Sequence, residues 1–263
     1  MLSRGFLALY LAHLLSDFVF QTSRLVRRKC EGQVSGYLEH GVVLYASAIV
    51  IAGFFVPHVA ASLRFYFVVF GLTLVHLLID FCKINLARAK ITGNGARSFL
   101  GDQVLHFITV ALAAALIVRA PLAELRPVLG ALRRVDERVL LLFVVYAGVI
   151  FAGGYLIRFL TRPMMGHARA GDSQTQESRS QLNNAGMYIG WLERFLVLTA
   201  LLLHSPATVG LIIAAKSIAR YPEFKDERFA EYFLIGTLLS IGIAIFGGVV
   251  LQKVFYGGFA LPG

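Results

Sequence analysis

Three pairs of histidine and aspartate stand four residues apart inside apolar stretches of the sequence: His13 and Asp17, His76 and Asp80, and, in the reverse order, Asp102 and His106. Residues four apart share one face of an α-helix. Ionisable groups in apolar segments are costly to bury and are usually paired. Imidazole together with carboxylate suits zinc, and also manganese, iron or nickel. The pairs therefore predict a site for one or two divalent transition-metal ions, with zinc as the first choice.

The predicted metal ligands are, in chain order, His13, Asp17, His76, Asp80, Asp102 and His106, with His40 as an additional candidate. The three histidines of the pairs are the principal ligands, and the aspartates complete the set or orient the imidazoles. The predicted general base on the attacking water is Glu39, Asp17 or Asp102. Hydrogen bonding between neighbouring helices is the structural alternative for the same side chains.

A short duplication links two of these pairs. HLLSDF at 13–18 recurs as HLLIDF at 76–81, a shift of 63 residues, and the same shift places Glu39 on Asp102. With the same shift, the first two predicted helices align in sequence with the third and fourth. We therefore predict a parallel two-helix repeat, related by an axis along the membrane normal.

The elements that carry these residues are predicted to be membrane-spanning helices. Hydrophobic residues make up 57% of the chain and charged residues 15%, whereas a soluble domain carries about 25% charged residues. Mean hydropathy is +0.72. A span needs about 20 apolar residues, and the sequence predicts an all-α transmembrane bundle of seven or eight helices: 2–21, 38–56, 64–84, 99–118, 138–160, 185–204, the short 207–220, and 230–251.

Four parts of the chain are distinguished by composition: a four-helix core with the His/Asp cluster at 1–118, a connecting loop and fifth helix at 119–162, a polar cytoplasmic linker at 163–184, and C-terminal helices at 185–263. Lysine and arginine concentrate in alternate loops, which the positive-inside rule places in the cytoplasm. The mixed-charge stretch 119–137 is the exception. The net charge of +10 is explained by basic cytoplasmic loops that interact with anionic lipid headgroups. Nucleic-acid binding is not predicted, because no motif for it is found.

This orientation brings the candidate ligands to a common depth. The helices with HxxxD run toward the cytoplasm, whereas the helix with Asp102 and His106 runs away from it. Each aspartate therefore lies near the inner interface, with its histidine about 6 Å deeper. The same orientation places Cys30 and Cys82 on the cytoplasmic side, where no disulfide is expected.

The C-terminal helices carry a different set of charges. Glu193 and Lys216 fall inside apolar runs, and we predict a structural ion pair between them. Lys216 and Arg220 are also candidates for binding an anion or a lipid headgroup.

The strings AHLLSDFVFQ at 12–21, HLLIDFCK at 76–83 and DQVLHF at 102–107 resemble the signature of an uncharacterised bacterial integral-membrane family, domain of unknown function 3307. The resemblance covers about the first 110 residues. It implies a bacterial inner-membrane protein and supports the six paired His and Asp residues as its marked positions. It implies no activity.

Three functions are open at this point. The first is a membrane metalloenzyme, a hydrolase acting on a lipid-like or phosphorylated amphiphilic substrate at the cytoplasmic face. The second is a transporter or ion pathway that uses the cluster as a cation site. The third is a non-catalytic anchor that recruits a cytoplasmic partner, and a homo-oligomer is left open.

Overall fold

The structure is a computed structural model that describes residues 1–93, 95–120, 135–162, 174–225 and 227–257. It is all-helical over these residues, as predicted. The helices are α1 (Leu2–Phe18), α2 (Ser23–Cys30), α3 (Val34–Phe55), α4 (Pro57–Ala60), α5 (Leu63–Arg88), α6 (Ala96–Val118), α7 (Val135–Ala147), α8 (Gly153–Thr161), α9 (Gln174–Leu202), α10 (Pro206–Arg220) and α11 (Glu227–Tyr256). A π-helical segment, Gly148–Ala152, joins α7 to α8, and a 3₁₀ turn, Tyr221–Lys225, follows α10.

Five described stretches are long and apolar enough to cross a membrane: Val34–Phe55, Leu63–Arg88, Ala96–Val118, Glu137–Thr161 and Phe229–Tyr256. The α1–α2 pair makes a sixth if it counts as one bent span. The chain is therefore a multi-pass membrane protein. Two predicted spans, 185–204 and 207–220, are not among the candidates. The 15 residues of α10 give only about 22 Å of helix, less than the hydrocarbon thickness of about 30 Å.

The first predicted helix, 2–21, is too long, because α1 ends at Phe18. The chain then bends by 84° into α2, which sequence reasoning treated as a loop. The Thr22 side chain caps α2 by accepting a hydrogen bond from the Leu25 backbone N–H. Three basic residues occupy the last turn of α2, where they complement the helix dipole.

The N-terminal unit, Met1–Ala147, is organised around α1. Thirteen of the 17 residues of α1 are buried, which is typical of a helix that is apolar on all sides. Helix α1 packs against α3, α6 and α7, and α5 packs against α3 and α6. Helices α1, α3, α5 and α6 therefore form a ring. Their outer faces expose large apolar side chains such as Val50, Phe54 and Phe67, as expected for surfaces that face lipid.

The C-terminal unit, Gly148–Gly263, contains α8 to α11. Helix α9 packs against α10 and α11, and α11 also contacts α8. The predicted polar linker 163–184 ends earlier than expected, because α9 begins at Gln174. Gln, Glu and Arg are good helix formers, so the lack of apolar periodicity there did not exclude a helix. Residues 163–173 of the linker, and 121–134 of the mixed-charge loop, lie outside the described residues.

Candidate metal centre

Four imidazole rings meet at the centre of the ring of helices. They come from four different helices: His13 on α1, His40 on α3, His76 on α5 and His106 on α6. Their exposed fractions are only 0–2%. The ring centroids of His76 and His106 are 4.1 Å apart, and those of His13 and His106 are 4.9 Å apart. The three predicted principal ligands are therefore brought together.

Three carboxylates line one side of these rings: Asp17, Asp80 and Asp102, with exposed fractions of 6–9%. Oδ1 of Asp17 lies 3.3 Å from Nε2 of both His76 and His40. Oδ1 of Asp80 and Oδ1 of Asp102 lie 3.6 Å and 3.4 Å from Nε2 of His106. Each aspartate therefore turns at least one oxygen toward the imidazoles.

The spacing of these atoms suits a tetrahedral metal ion. Ligand atoms of Asp17, His76, Asp80 and His106 all lie within 4.8 Å of one another, and so do those of His13, His76 and His106. Four ligands about 2.0–2.1 Å from a zinc ion are separated from one another by roughly 3.3 Å. The Asp17–His76 and Asp80–His106 distances are close to that value, so small side-chain movements would complete the geometry.

Several buried ligand atoms have only ion-pair contacts of 3.4–3.7 Å and no hydrogen bond of normal geometry. Nε2 of His106 and Oδ1 of Asp102 make no hydrogen bond to any described residue, and the same holds for Nδ1 of His13. Buried polar atoms are nearly always satisfied in native proteins. Atoms of this kind that converge on one point are what a metal-binding site offers.

Gln103 orients one of the rings. Its Oε1 accepts a hydrogen bond from Nε2 of His13 at 3.3 Å, while its Nε2 donates to Asp102 Oδ2 at 3.2 Å. With Nε2 of His13 protonated, the lone pair of Nδ1 is available for a metal. Sequence reasoning did not find Gln103, although the 63-residue shift aligns it with His40.

His40 lies inside the cluster, close enough to His76 and Asp80 to act as a further ligand. Its Nε2 is 2.9 Å from Nε2 of His76 and 3.6 Å from Oδ2 of Asp80. Glu39, its neighbour in the sequence, lies outside the cluster. Glu39 is about half exposed and accepts a hydrogen bond from Arg28 at 2.8 Å.

Two lysines close the carboxylate side, and neither was predicted. Nζ of Lys29, on α2, lies 2.5 Å from Oδ2 of Asp80. Nζ of Lys83, on α5, lies 2.7 Å from Oδ2 of Asp102. A signal for Lys83 existed in the sequence, because it follows Asp80 by three residues and His76 by seven, on the same helix face. Lys29 gave no such signal, since its position depends on the bend before α2.

In the C-terminal unit, Lys216 and Glu193 form the predicted ion pair, with Nζ 2.5 Å from Oε2. Lys216 also lies over the ring of Phe233, 5.3 Å from its centroid. Arg220 is the last residue of α10. Anion binding by Lys216 and Arg220 stays a prediction.

Arg194 was missed as a structural residue of this unit. It is buried, and its guanidinium donates two hydrogen bonds to the backbone carbonyl of Ile150, at 2.7 and 3.1 Å. A π-helical segment interrupts the regular i→i−4 pattern, and Arg194 satisfies a carbonyl of that segment. A Cβ at Gly154 would lie 2.6 Å from the guanidinium, so glycine leaves the space that Arg194 fills.

The N-terminal part of the chain is similar to a known protein family. Residues 6–126 match the model of a family described as a protein of unknown function, DUF3307. No curated protein and no solved structure matches the chain. The matched segment contains α1 from Phe6 onward and all of α2 to α6, and with them every histidine and aspartate of the cluster. The resemblance to the DUF3307 family is therefore confirmed over residues 6–126, just under half of the chain.

Proposed function

We propose that the N-terminal unit binds a divalent transition-metal ion, zinc as the first choice, and uses it to hydrolyse a lipid-like or phosphorylated amphiphilic substrate. The observation that carries the proposal is the buried set of Asp17, His76, Asp80 and His106, whose ligand atoms lie within 4.8 Å of one another. These residues come from three helices, α1, α5 and α6.

The charge of the cluster supports a cation. Three carboxylates are buried among helices that cross a membrane, where an uncompensated charge is costly. Lys29 and Lys83 neutralise Asp80 and Asp102, but the described contacts of the Asp17 carboxylate are to His13, His40, His76 and the Ser16 hydroxyl. A divalent ion between Asp17 and the imidazoles would compensate that charge.

A bound ion of this type polarises a carbonyl or phosphoryl oxygen and activates water at neutral pH. The chain supplies the rest of the chemistry. Asp102 is the best-placed general base, because its Oδ1 has no hydrogen-bond partner in the described ranges and points toward His106. It can therefore accept the proton of the attacking water. Glu39 is a weaker candidate, because Arg28 holds it outside the cluster.

The proposed location is the bacterial inner membrane, with the carboxylate side of the cluster facing the cytoplasm. The basic residues of α2 and Lys83 lie on that side, in agreement with the positive-inside rule. An amphiphile in the inner leaflet would reach the cluster at the level of its headgroup, so membrane lipids are the expected source of substrate.

A proton or cation pathway is the second candidate. The close contact of His40 and His76, at 2.9 Å, together with Asp17 beside both rings, favours it, since such groups can pass a proton along. Apart from Thr73, the buried residues farther along these helices are apolar, such as Leu9, Val69 and Val110, which counts against a continuous polar pathway. A flux measurement in proteoliposomes that is abolished by His76→Ala would favour this function over hydrolysis.

The test of the proposed function is hydrolysis by the purified full-length protein in detergent. Zinc-loaded and chelator-treated samples are assayed on a short-chain phosphatidate and on a short-chain carboxylic ester. We expect turnover that requires the metal, that returns when zinc is added back, and that falls at least about 100-fold in His76→Ala. His58→Ala is the matched control, because His58 is exposed on α4. Turnover that survives chelation, or that is equal in both variants, would contradict the proposal.

A further inference from the structure

The two lysines of the cluster are arranged alike. Each binds Oδ2 of an aspartate whose Oδ1 faces Nε2 of His106. Lys29 and Lys83 are therefore both one carboxylate away from the same imidazole nitrogen. They approach it from two different aspartates, Asp80 and Asp102.

The fold holds both ammonium groups close to the carboxylates. The 84° bend before α2 turns Lys29 back onto α5, and the side chain of Lys29 is only 5% exposed. The Lys83 side chain is 32% exposed, so it lies at the edge of the cluster. A lysine has a long flexible stem and a compact charge, so its ammonium group can leave a carboxylate without movement of its helix.

The charges of the cluster change sign when a metal binds. With neutral imidazoles, Asp17, Asp80 and Asp102 together with the two lysines carry one net negative charge. Binding of one divalent ion changes the net charge to one positive charge, because its two positive charges add to those of the lysines. A net charge in a buried site within a membrane is unfavourable, and a bound anion would compensate it.

We infer that Lys29 and Lys83 bind the phosphate group of the substrate in the metal-loaded protein, so that the substrate class is an amphiphile bearing a phosphate. This inference rests on the proposed function, because Lys29 becomes available only when the metal takes over Asp80. Lys83 lies at the edge of the cluster and can leave the Asp102 carboxylate by rotation of its side chain. Lysine is a common phosphate ligand, acting as a point charge. Nε2 of His106, a residue more than nine-tenths buried that belongs to both candidate ligand groups, marks where the ion lies beside that phosphate.

The experiment measures phosphate binding to the full-length protein in detergent, zinc-loaded and zinc-free. The probes are inorganic phosphate and a short-chain phosphatidate, with the matching diacylglycerol as the phosphate-free control. The variants are Lys29→Gln, Lys83→Gln and, as matched control, Lys90→Gln, since Lys90 is exposed just beyond α5. Zinc affinity is measured on the same samples.

We expect the phosphate probes to bind zinc-loaded protein at least about tenfold more tightly than zinc-free protein. Each of the two cluster variants should lose about tenfold in phosphate affinity, the typical effect of one charged hydrogen bond. Lys90→Gln should bind as the wild type does. Lys29→Gln should bind zinc as tightly as the wild type or more tightly, because it no longer has an ammonium group that competes for Asp80. Phosphate loss without zinc loss cannot come from misfolding.

Equal binding of both probes would identify free phosphate as sufficient, whereas binding of phosphatidate alone would identify a lipid headgroup, and either result supports the inference. Phosphate affinity that does not depend on zinc, or that is unchanged in both cluster variants, overturns it. Zinc uptake without phosphate binding refutes this inference alone. A wild-type protein that takes up no zinc refutes the proposed function, and this inference with it.

Discussion

Single substitutions should show which of the overlapping sets of side chains holds the ion. His76 and His106 belong both to the set with Asp17 and Asp80 and to the three-histidine set with His13. We predict that the set with two carboxylates is the ligand set, because two carboxylates and two neutral imidazoles balance the charge of a divalent ion. The informative comparison is therefore between Asp80→Asn and His13→Ala.

The expected magnitude follows from the number of ligands. Structural zinc sites contribute about 10–16 kcal/mol from about four ligands, or about 3–4 kcal/mol for each. Loss of one ligand should then weaken zinc binding by about 100- to 1,000-fold. His106→Ala, His76→Ala and Asp80→Asn should fall in this range. His13→Ala should cost only about tenfold, the lower limit for a residue that supports a ligand.

The assay is a competition titration of the purified variants against a chromogenic zinc chelator, in detergent. His58→Ala is again the control and should bind zinc as the wild type does. If His13→Ala is as damaging as His106→Ala while Asp80→Asn has no effect, the ion is held by the three histidines and the assignment is wrong. If none of the four substitutions weakens binding, the cluster is not a metal site.

Further predictions concern stability and topology. Lys216→Ala should destabilise the protein by about 3 kcal/mol, because it leaves the buried carboxylate of Glu193 without its cation. Thermal unfolding in detergent measures the loss of stability. Adding Glu193→Gln to this variant should restore the stability. Gly248→Ala should destabilise by about 1–3 kcal/mol, because its Cβ would lie 2.6 Å from Leu201 Cδ1, whereas Gly242→Ala should be nearly neutral, since its Cβ meets no described atom within 4 Å. Equal melting temperatures for the two glycine variants would refute the packing argument. Cys30 and Cys82 are exposed and form no disulfide in the described structure. A membrane-impermeant maleimide should label them only in inverted vesicles. Labelling in intact cells would show that the proposed orientation is wrong.

The convergence of histidine and aspartate could be predicted from the sequence because helical spacing fixes which residues share a face. Asp17, Asp80 and Asp102 were each placed four residues from a histidine, and all three lie in the cluster. The helix bounds were also largely predictable, since long apolar runs have few alternatives in a membrane. Neither inference needed tertiary contacts.

Other features depended on contacts that the sequence does not reveal. Glu39 and His40 are adjacent, and adjacent residues point about 100° apart on a helix, so only one of them can face the centre. The rotation of α3 selects His40, which is fully buried, and leaves Glu39 about half exposed. The 63-residue repeat aligned Glu39 with the buried Asp102 and therefore could not show this difference.

Lys29 illustrates the same limit. In the sequence it is one of several basic residues after the first apolar run, and its neighbours Arg24 and Arg27 are indeed exposed. Only the bend of 84° and the packing of α2 on α3 and α5 bring its ammonium group to Asp80.

The central claim is that the histidines and aspartates of the N-terminal unit hold a metal ion. Metal analysis of the purified wild-type protein, followed by X-ray absorption spectroscopy at the zinc edge, tests it most directly. We predict one or two zinc ions per chain, with nitrogen and oxygen ligands at about 2.0–2.1 Å and no sulfur, and loss of the metal in a His76→Ala/His106→Ala double variant. Protein that carries no transition metal and takes up none on titration, or a spectrum dominated by sulfur ligands, would contradict the claim.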